Sequence, residues 1–321
     1  MEGFEGLIPD NFLPALEEAL GAELTPLIRS FPSYINRVYE IRTADDVPFV
    51  AKFYRPGRWT AEALQDEHTF LFDCEEAEIP VVCPLKLKNG TSLGSFQGIP
   101  FAVFPKKAGR QFDGEADDSW SRLGVLLGRL HNVGQKRKAP ARLFLTPQAT
   151  TKVYVDQLAG DVVSEKRRQT YRDIGDRIVD AVTPYFEGME CIRIHGDFHR
   201  GNILDRPDTG LLVIDFDDMM NGPPVQDFWL LLPDHYPACK PQLDLLSAGY
   251  EQFRDIHPRS GLLIEGLRAM RMIYFTAWVA MQRRDAQFQA RFPDFGTDSF
   301  WIQEINDLRA QYACIMEALI P

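Results

Sequence analysis

An α+β chain in two lobes is what this sequence predicts: a small β-rich lobe over residues 1–105 and a larger, mainly helical lobe over residues 113–321. Three features carry that expectation. Short apolar or alternating runs bounded by turn residues fill the first third. Apolar residues at helical spacing dominate from Ser119 onward. A stretch between two helical regions, Cys191–Asp218, holds two short apolar runs that each end in acidic chemistry. At 321 residues the chain is long enough for two separate cores.

Taken in order, Pro9–Leu20 reads as a helix with Asp10 or Asn11 near its cap and Gly21 closing it. Val38–Ile41 and Pro48–Tyr54 read as antiparallel strands joined by a polar turn around Ala44–Asp46. In the second strand Phe49, Ala51 and Phe53 face one side, and Val50, Lys52 and Tyr54 the other. Lys52 is therefore mid-strand among apolar neighbours, where an ammonium is costly unless something pairs with it. Thr60 caps a helix over Ala61–Cys74 that carries Glu62, Asp66 and Glu67. Glu67, in the middle of that helix, is the expected partner of Lys52, ahead of Glu62 in the first turn. Pro80–Lys88 and Gly98–Pro105 supply further strands, with a turn at Asn89-Gly90.

After FAVFPKKAGRQF the periodicity switches to helical, and residues 106–112 form the expected hinge. Leu123, Leu126, Leu127 and Leu130 make one apolar stripe, ended by His131, which reads as a packed structural histidine. Further helices are expected over Glu165–Phe186, Pro241–Phe253, Leu262–Arg284 and Asp298–Leu319. No internal repeat or low-complexity tract is present.

Within Cys191–Asp218, the runs Ile192–Ile194 and Leu211–Ile214 read as two strands of a hairpin-like return. The turn between them holds Asp205, Pro207, Asp208 and Gly210. Asp197, Asn202 and Asp215 would converge at one end of it. Two carboxylates and an amide suit a hard cation such as Mg2+, and an acidic side chain beside such a site can orient a hydroxyl nucleophile, the layout of phosphoryl transfer. The spacing Asp-x4-Asn, followed by a strand ending in Asp, matches the kinase catalytic loop and its metal-binding aspartate. A kinase small lobe uses the same device, a strand lysine such as Lys52 reaching the nucleotide phosphates and a helix carboxylate such as Glu67 holding it. The stretch from Phe101 through the hinge, Phe104 included, would border the adenine.

Rival readings of this stretch fare worse. His195 and His199 are four apart, but Gly196 spoils the helix that would bring both rings to one zinc ion. A phosphatase-type reading of Asp215-Phe216-Asp217 leaves HGDFHRGN unexplained. Solvated acidic turns would not follow directly on Ile/Leu/Val runs, where gathered like charges need a cation.

Bulk properties exclude other classes. A net charge of -11 argues against a surface that follows a nucleic-acid backbone. The five scattered cysteines, without a CxxC pair, suit a reducing compartment. No basic residue precedes Arg29, unlike a signal peptide. The apolar segment Gly261–Met281 is broken by Glu265, Arg268 and Arg271, as in a buried helix rather than a membrane span. A cytoplasmic monomer is expected.

HGDFHRGNIL, IDFDD and NGPPVQDFW, with SYINRVY and VAKFYRPGRWT upstream, resemble the aminoglycoside phosphotransferase/choline kinase-like superfamily. KFYRPGRWT, FAVFP with GRQF, NGPPVQD and LRAMR narrow the resemblance to its stress response kinase branch of bacterial serine/threonine protein kinases. It covers nearly the whole chain. The resemblance implies a bilobal protein-kinase-like fold, ATP and Mg2+ as cosubstrate and cofactor, and transfer to Ser/Thr of a protein, autophosphorylation included. It also implies Asp197 as proton acceptor, Asn202 and Asp215 as Mg2+ ligands, and Ser33 where the nucleotide loop meets ATP. Asp227 would be the buried aspartate that holds the catalytic loop, with His195 bracing it. SYINRVY departs from the glycine-rich loop of general protein kinases, and no APE string follows Asp215. The alternatives are an alcohol kinase of the choline, homoserine or aminoglycoside type, for which the acidic balance would suit a cationic acceptor, and a nucleotide-binding regulator without turnover.

Overall fold

The structure, a computed structural model, describes residues 3–114, 116–236, 238–285 and 288–318. In chain order the elements begin with α1 (Pro9–Leu20), β1 (Arg29–Phe31), β2 (Arg37–Arg42), β3 (Pro48–Phe53) and α2 (Ala61–Glu76). Next come β4 (Gly94–Phe96), β5 (Ile99–Pro105), β6 (Arg110–Gln111), α3 (Asp117–Gly134), α4 (Lys152–Asp161) and α5 (Glu165–Phe186). Then follow β7 (Ile192–Ile194), β8 (Ile203–Arg206), β9 (Gly210–Val213), β10 (Met220–Gly222) and α6 (Gln226–Trp229). The chain ends with α7 (Lys240–Tyr250), α8 (Ser260–Met281), α9 (Phe288–Arg291) and α10 (Asp298–Ala318). Leu319, expected to end the last helix, lies outside the described residues.

The contacts divide the chain into two compact units. One holds the residues up to Asp113 together with Ala139–Arg142 and Arg200–Met219; the other holds Gly114–Lys138, Leu143–His199 and the residues from Met220 on.

The first unit is built on a five-stranded antiparallel sheet of order β1-β2-β3-β5-β4. The expected alternation in β3 sorts its side chains between two cores. Ala51 and Phe53 pack under α1 with Phe12, Leu16, Ile41, Phe101 and Val103. Tyr54, on the other side, joins Leu64 of α2 and Ala102. α1 starts with Pro9 at its first position, where the missing N–H costs nothing, and ends on Gly21 in the left-handed region at φ 70°. Its cap residue is Ile8 with no side-chain bond, so neither Asp10 nor Asn11 caps it. Thr60 does cap α2, accepting from the Ala63 amide at 3.2 Å.

Two strand expectations are corrected. Pro80–Lys88 forms no strand; Val81 makes an isolated bridge to Val213, and Leu85 donates to the Val103 carbonyl. Pro80 and Pro84 remove the amides a ladder would need. The runs at 192–194 and 211–214 are not partners in a hairpin either. β7 pairs with β10, whereas β9 pairs with β8, and β6 extends that second sheet. The predicted turn residues are real, but the strand that enters the turn is Ile203–Arg206.

In the second unit, α4 was not signalled by periodicity and is entered through a π-helical turn at Pro147–Thr151. α8 is central, burying Leu263, Ile264, Leu267, Met270 and Ile273. No helix among the described residues is long and apolar enough to cross a membrane, and all five cysteines are free thiols.

α3 and α7 meet at backbone distance. A Cβ on Gly124 would lie 1.9 Å from the Leu246 carbonyl oxygen, and one on Gly249 would lie 2.0 Å from that of Ser121. Neither oxygen can yield without parting the helices. Gly124→Ala and Gly249→Ala are each expected to cost about 3 kcal/mol by urea denaturation. Gly160→Ala in α4, whose Cβ would meet nothing within 4 Å, should be neutral or slightly stabilising.

Candidate active site

In the first unit, Lys52 projects from β3 on the α2 side and is almost wholly buried. Its Nζ lies 3.0 Å from Asp215 Oδ1 and 3.3 Å from Asp217 Oδ1, and 5.1 Å from the centre of the Tyr54 ring. Burial alone would lower the Lys52 pKa, yet the carboxylates of Asp215, Asp217 and Glu67 hold it well above its ordinary value. The lysine is a permanent cation. Asp217 also takes Arg58 Nη1 at 3.0 Å, and Asp218 takes Arg58 Nη2 at 2.6 Å. Burial would raise the Asp217 pKa, but Lys52, Arg58 and Arg142 bring it down to about 2.

Asp215 follows β9 with φ 61° and ψ 70°, left-handed values that few non-glycine residues adopt. Such strain persists where the surroundings impose it, often at functional sites. The Phe216 ring packs edge-on against Phe70 of α2, 5.6 Å between centres, fixing the turn from the other side. Asn202 closes a short 3-10 turn and is buried; its carbonyl accepts the Ile214 amide at 3.0 Å. The Asn202 and Asp215 backbones are thereby tied together one residue from the carboxylate. An amide and a half-exposed carboxylate joined in this way are the all-oxygen donor set a hard divalent cation takes, so these residues fit Mg2+.

The expected Lys52–Glu67 pair is not the arrangement found. Glu67 is buried in α2 and receives Arg142 Nη2 at 2.8 Å. Arg142 also donates to the carbonyls of Ala63 and Asp217, both at 2.7 Å, and stacks 4.2 Å from the Trp59 ring centre. A planar guanidinium holds a buried carboxylate and two carbonyls at once with donors fixed in one plane. Burial pushes the Glu67 carboxyl up, to about 7, against the pull of Lys52 and Arg142.

Ser33 lies exposed in the turn between β1 and β2. That turn is tethered by Arg55, whose amide donates to Asn36 Oδ1 at 3.1 Å and whose guanidinium donates to the carbonyls of Ile35 and Tyr34. Phe104 is a β5 residue packed beside Tyr54, Leu64 and Ala102, with its ring edge-on to His68.

The second unit holds His195–Asp197, directly after β7. Asp227 of α6 is fully buried and accepts two backbone amides of this loop, His195 at 2.7 Å and Gly196 at 2.8 Å. His131 lies between Asp227 Oδ2 and the Tyr250 hydroxyl, at 3.1 and 3.0 Å, the packed role its place on the stripe predicts. Burial keeps His131 below its ordinary pKa in spite of Asp227. The His195 imidazole accepts the Asp197 amide at 3.3 Å and packs edge-on against Phe198.

The Asp197 carboxylate meets two basic groups: Arg271 Nη2 of α8 at 2.7 Å from Oδ1, and His199 Nε2 at 3.4 Å from Oδ2. Burial would raise its pKa, but the bond from His199 and the charge of Arg271 hold it at about 2. It stays a carboxylate under all physiological conditions. The expected convergence therefore resolves by unit: Asn202, Asp215 and Lys52 assemble within the first, and Asp197 with its supports within the second.

The sequence reading missed Arg142, Arg58 and Arg271 as site residues. Arg58 and Arg271 lie in the unusual strings KFYRPGRWT and LRAMR, which signalled them; Arg142 stands in a loop with no comparable mark. His235, Glu265 and Cys314 also come close enough to hold a metal. Glu265, however, already accepts the Tyr236 amide at 2.8 Å, His235 Nδ1 at 2.9 Å and Gln311 Nε2 at 2.7 Å, with Arg268 at 3.5 Å. A carboxylate so filled, and beside an arginine, is a packing knot.

Residues 28–273 match the family model of the phosphotransferase enzyme family. Stress response kinase A of Escherichia coli strain K12 is 36% identical over 98% of this chain and 95% of its own length. A relative from Salmonella typhimurium, the serine/threonine protein kinase RdoA, is 35% identical over the same shares. Among solved structures, amicoumacin kinase hAmiN, in complex with AMP-PNP, Ca2+ and Ami, superposes with a TM-score of 0.72 at 14% identity over 92% of each chain. A microcompartment-associated aminopropanol kinase does so at 0.67 and 17% identity, over 96% of each. The small antiparallel sheet and mainly helical remainder are thus the protein-kinase-like fold of the aminoglycoside phosphotransferases, and the chain belongs to the phosphotransferase enzyme family, as a kinase similar along nearly its whole length to the stress response kinases.

Proposed function

We propose that this kinase transfers the γ-phosphate of ATP, with Mg2+, to serine or threonine hydroxyls of protein. The observation that carries the reading is the pairing of buried Lys52 with Asp215, at the strained turn that Asn202 adjoins. The near-full-length similarity to relatives named as stress response and serine/threonine protein kinases supports the protein acceptor.

Held by Asn202 and Asp215, Mg2+ would neutralise the charge of the transferring phosphate oxygens. Lys52, kept cationic, binds the nucleotide phosphates from β3. Ser33 presents its hydroxyl to them from the β1–β2 turn, which Arg55 and Arg37 stiffen in place of glycines. Residues 106–112 serve as the hinge between an N-terminal lobe over 1–105 and a catalytic lobe over 113–321, with Phe104 at the adenine side. Asp197 orients the acceptor hydroxyl and takes its proton; Arg271 and His199 keep it ionised for that task. Asp227 and His195 position the loop. Glu67 acts through Arg142, which braces the Asp217 backbone, rather than by gripping Lys52. Catalysis then comes mainly from positioning and charge neutralisation. The free thiols support a cytoplasmic placement.

The direct test is mass spectrometry of phosphosites after incubation with Mg-ATP and cell extract. New phosphoserine or phosphothreonine is expected with the wild type and not with Asp197→Asn. That variant should lose about a hundredfold to ten-thousandfold in transfer rate, while calorimetry shows ATP still binding. Asp215→Ala should instead lose the Mg2+-dependent part of nucleotide affinity.

Asp197→Asn also reads the ion pair with Arg271. The Asp197 carboxyl titrates lower in the folded chain, at about 2, than its ordinary 3.8. Its stabilisation is thus complete above about pH 4 and lost as pH falls toward 2. The stability gap between wild type and variant should shrink across that window in denaturant titrations, and no such trend at higher pH is expected.

A further inference from the structure

Between α8 and the stretch that runs from α9 into α10, the second unit holds a cavity of about 270 Å³, room for a small organic ion. Phe275, Phe292, Phe295 and Phe300 line it, together with Asp294 and Glu304. Its α8 residues, Phe275, Thr276 and Val279, lie about one to two helical turns beyond Arg271, the residue that reaches Asp197.

The rings are held in place from behind. Phe295 meets Phe300 at 4.9 Å between ring centres, and the two abut Trp301 at 5.8 and 4.9 Å. Trp301 is fully buried and meets Tyr171 of α5 edge-on. The turn before α10 is pinned as well. The Phe300 amide donates to Thr297 Oγ1 at 3.2 Å, and the Thr297 hydroxyl donates to the Asp294 carbonyl at 2.8 Å. On the α8 side Phe275 stacks on Trp278 while remaining 53% exposed. A wall built in this way has little left to order when a guest arrives.

Glu304 sets the sign of that guest. Its carboxylate accepts the Thr276 hydroxyl, and no lysine, arginine or histidine pairs with it among the described residues. Burial raises its pKa and the Asp307 carboxylate adds to the rise, against the Thr276 bond alone. No basic side chain lines the cavity among the described residues either. A carboxylate drawn out of water without a counter-charge is costly, and an ammonium beside it offsets that cost. The same ammonium is attracted to the faces of aromatic rings. A neutral guest gains only apolar contact, and an anion meets like charge from Glu304 and Asp294. The net charge of -11 favours the approach of cations.

We propose that this cavity binds an alkylammonium group, held by Glu304 and the phenylalanine rings, at a site separate from the place of phosphate transfer. The chemistry is the same for a free quaternary amine and for a lysine borne on a polypeptide. The site goes beyond the transfer reaction and holds for any acceptor.

Calorimetry on the full chain tests it with tetramethylammonium, which has no hydroxyl to phosphorylate, against neopentyl alcohol, its neutral counterpart in shape. Two peptides that differ only in lysine or norleucine form the second arm. Saturable binding of tetramethylammonium is expected, with none of neopentyl alcohol. Glu304→Gln keeps the size of the side chain and should weaken that binding about tenfold. It also removes an uncompensated buried charge, so it should melt no lower than the wild type by circular dichroism. Phe275→Leu, at an exposed position, keeps apolar surface but loses the ring, and should weaken binding about threefold. A lysine peptide that binds more tightly than both its norleucine partner and tetramethylammonium identifies a polypeptide as the source of the group; the free amine binding alone identifies a small molecule. No binding of either ammonium, equal affinity for the neutral counterparts, or an affinity unchanged in Glu304→Gln overturns the site. The phosphosite measurement decides the protein kinase reading independently of these outcomes.

Discussion

A lysine ammonium in the middle of a buried strand is the constraint from which the first unit is arranged. Lys52 cannot remain charged in that place without anions within a few ångströms. The chain supplies them from a turn 163 residues away, through Asp215 and Asp217. Supplying them has consequences. Asp215 must adopt a left-handed backbone to aim its carboxylate, and Phe216 must anchor in α2. Asp217 in turn needs Arg58 and the Arg142 bond to its carbonyl. A nucleotide phosphate would relieve Lys52 of its protein partners, leaving Asp215 free to take a cation.

The second unit solves a different problem, that of holding a loop whose aspartate must stay charged and correctly aimed. Asp227 fixes the loop by capturing two consecutive amides, and His131 satisfies Asp227 in turn from the far end of the α3 stripe. Arg271 and His199 complete the carboxylate environment of Asp197. Geometry of the loop comes from the buried Asp227 and the amides it accepts, whereas the charge of Asp197 is held by partly exposed basic groups.

Much of this was legible in the chain. Period-two alternation sorted the β3 side chains correctly, because both faces of that strand are covered by different cores. Asp197 and Asp215 stood out as candidates because acidic residues that follow apolar runs have few structural excuses, and Asn202 through the Asp-x4-Asn spacing. The Glu67 partner was not legible: choosing between Lys52 and Arg142 depends on a loop that only tertiary packing brings to α2. The strand pairing around the catalytic loop failed for a similar reason. Ile203–Arg206 is short and half polar, so the longer apolar run at 192–194 looked like the partner of β9 when it belongs to β10. α4 escaped because its buried residues are few and its entry is a π-helical turn.

The claim at the centre is that Asn202 and Asp215 hold the divalent ion while Lys52 holds the phosphates. Crystals grown with Mn2+ and a non-hydrolysable ATP analogue test it through the anomalous signal of the metal. The account predicts a manganese peak in direct coordination with Asn202 Oδ1 and an Asp215 carboxylate oxygen, with Lys52 Nζ moved from Asp215 onto a phosphate oxygen. A peak elsewhere, or Lys52 still bound to Asp215 with the nucleotide in place, would contradict it.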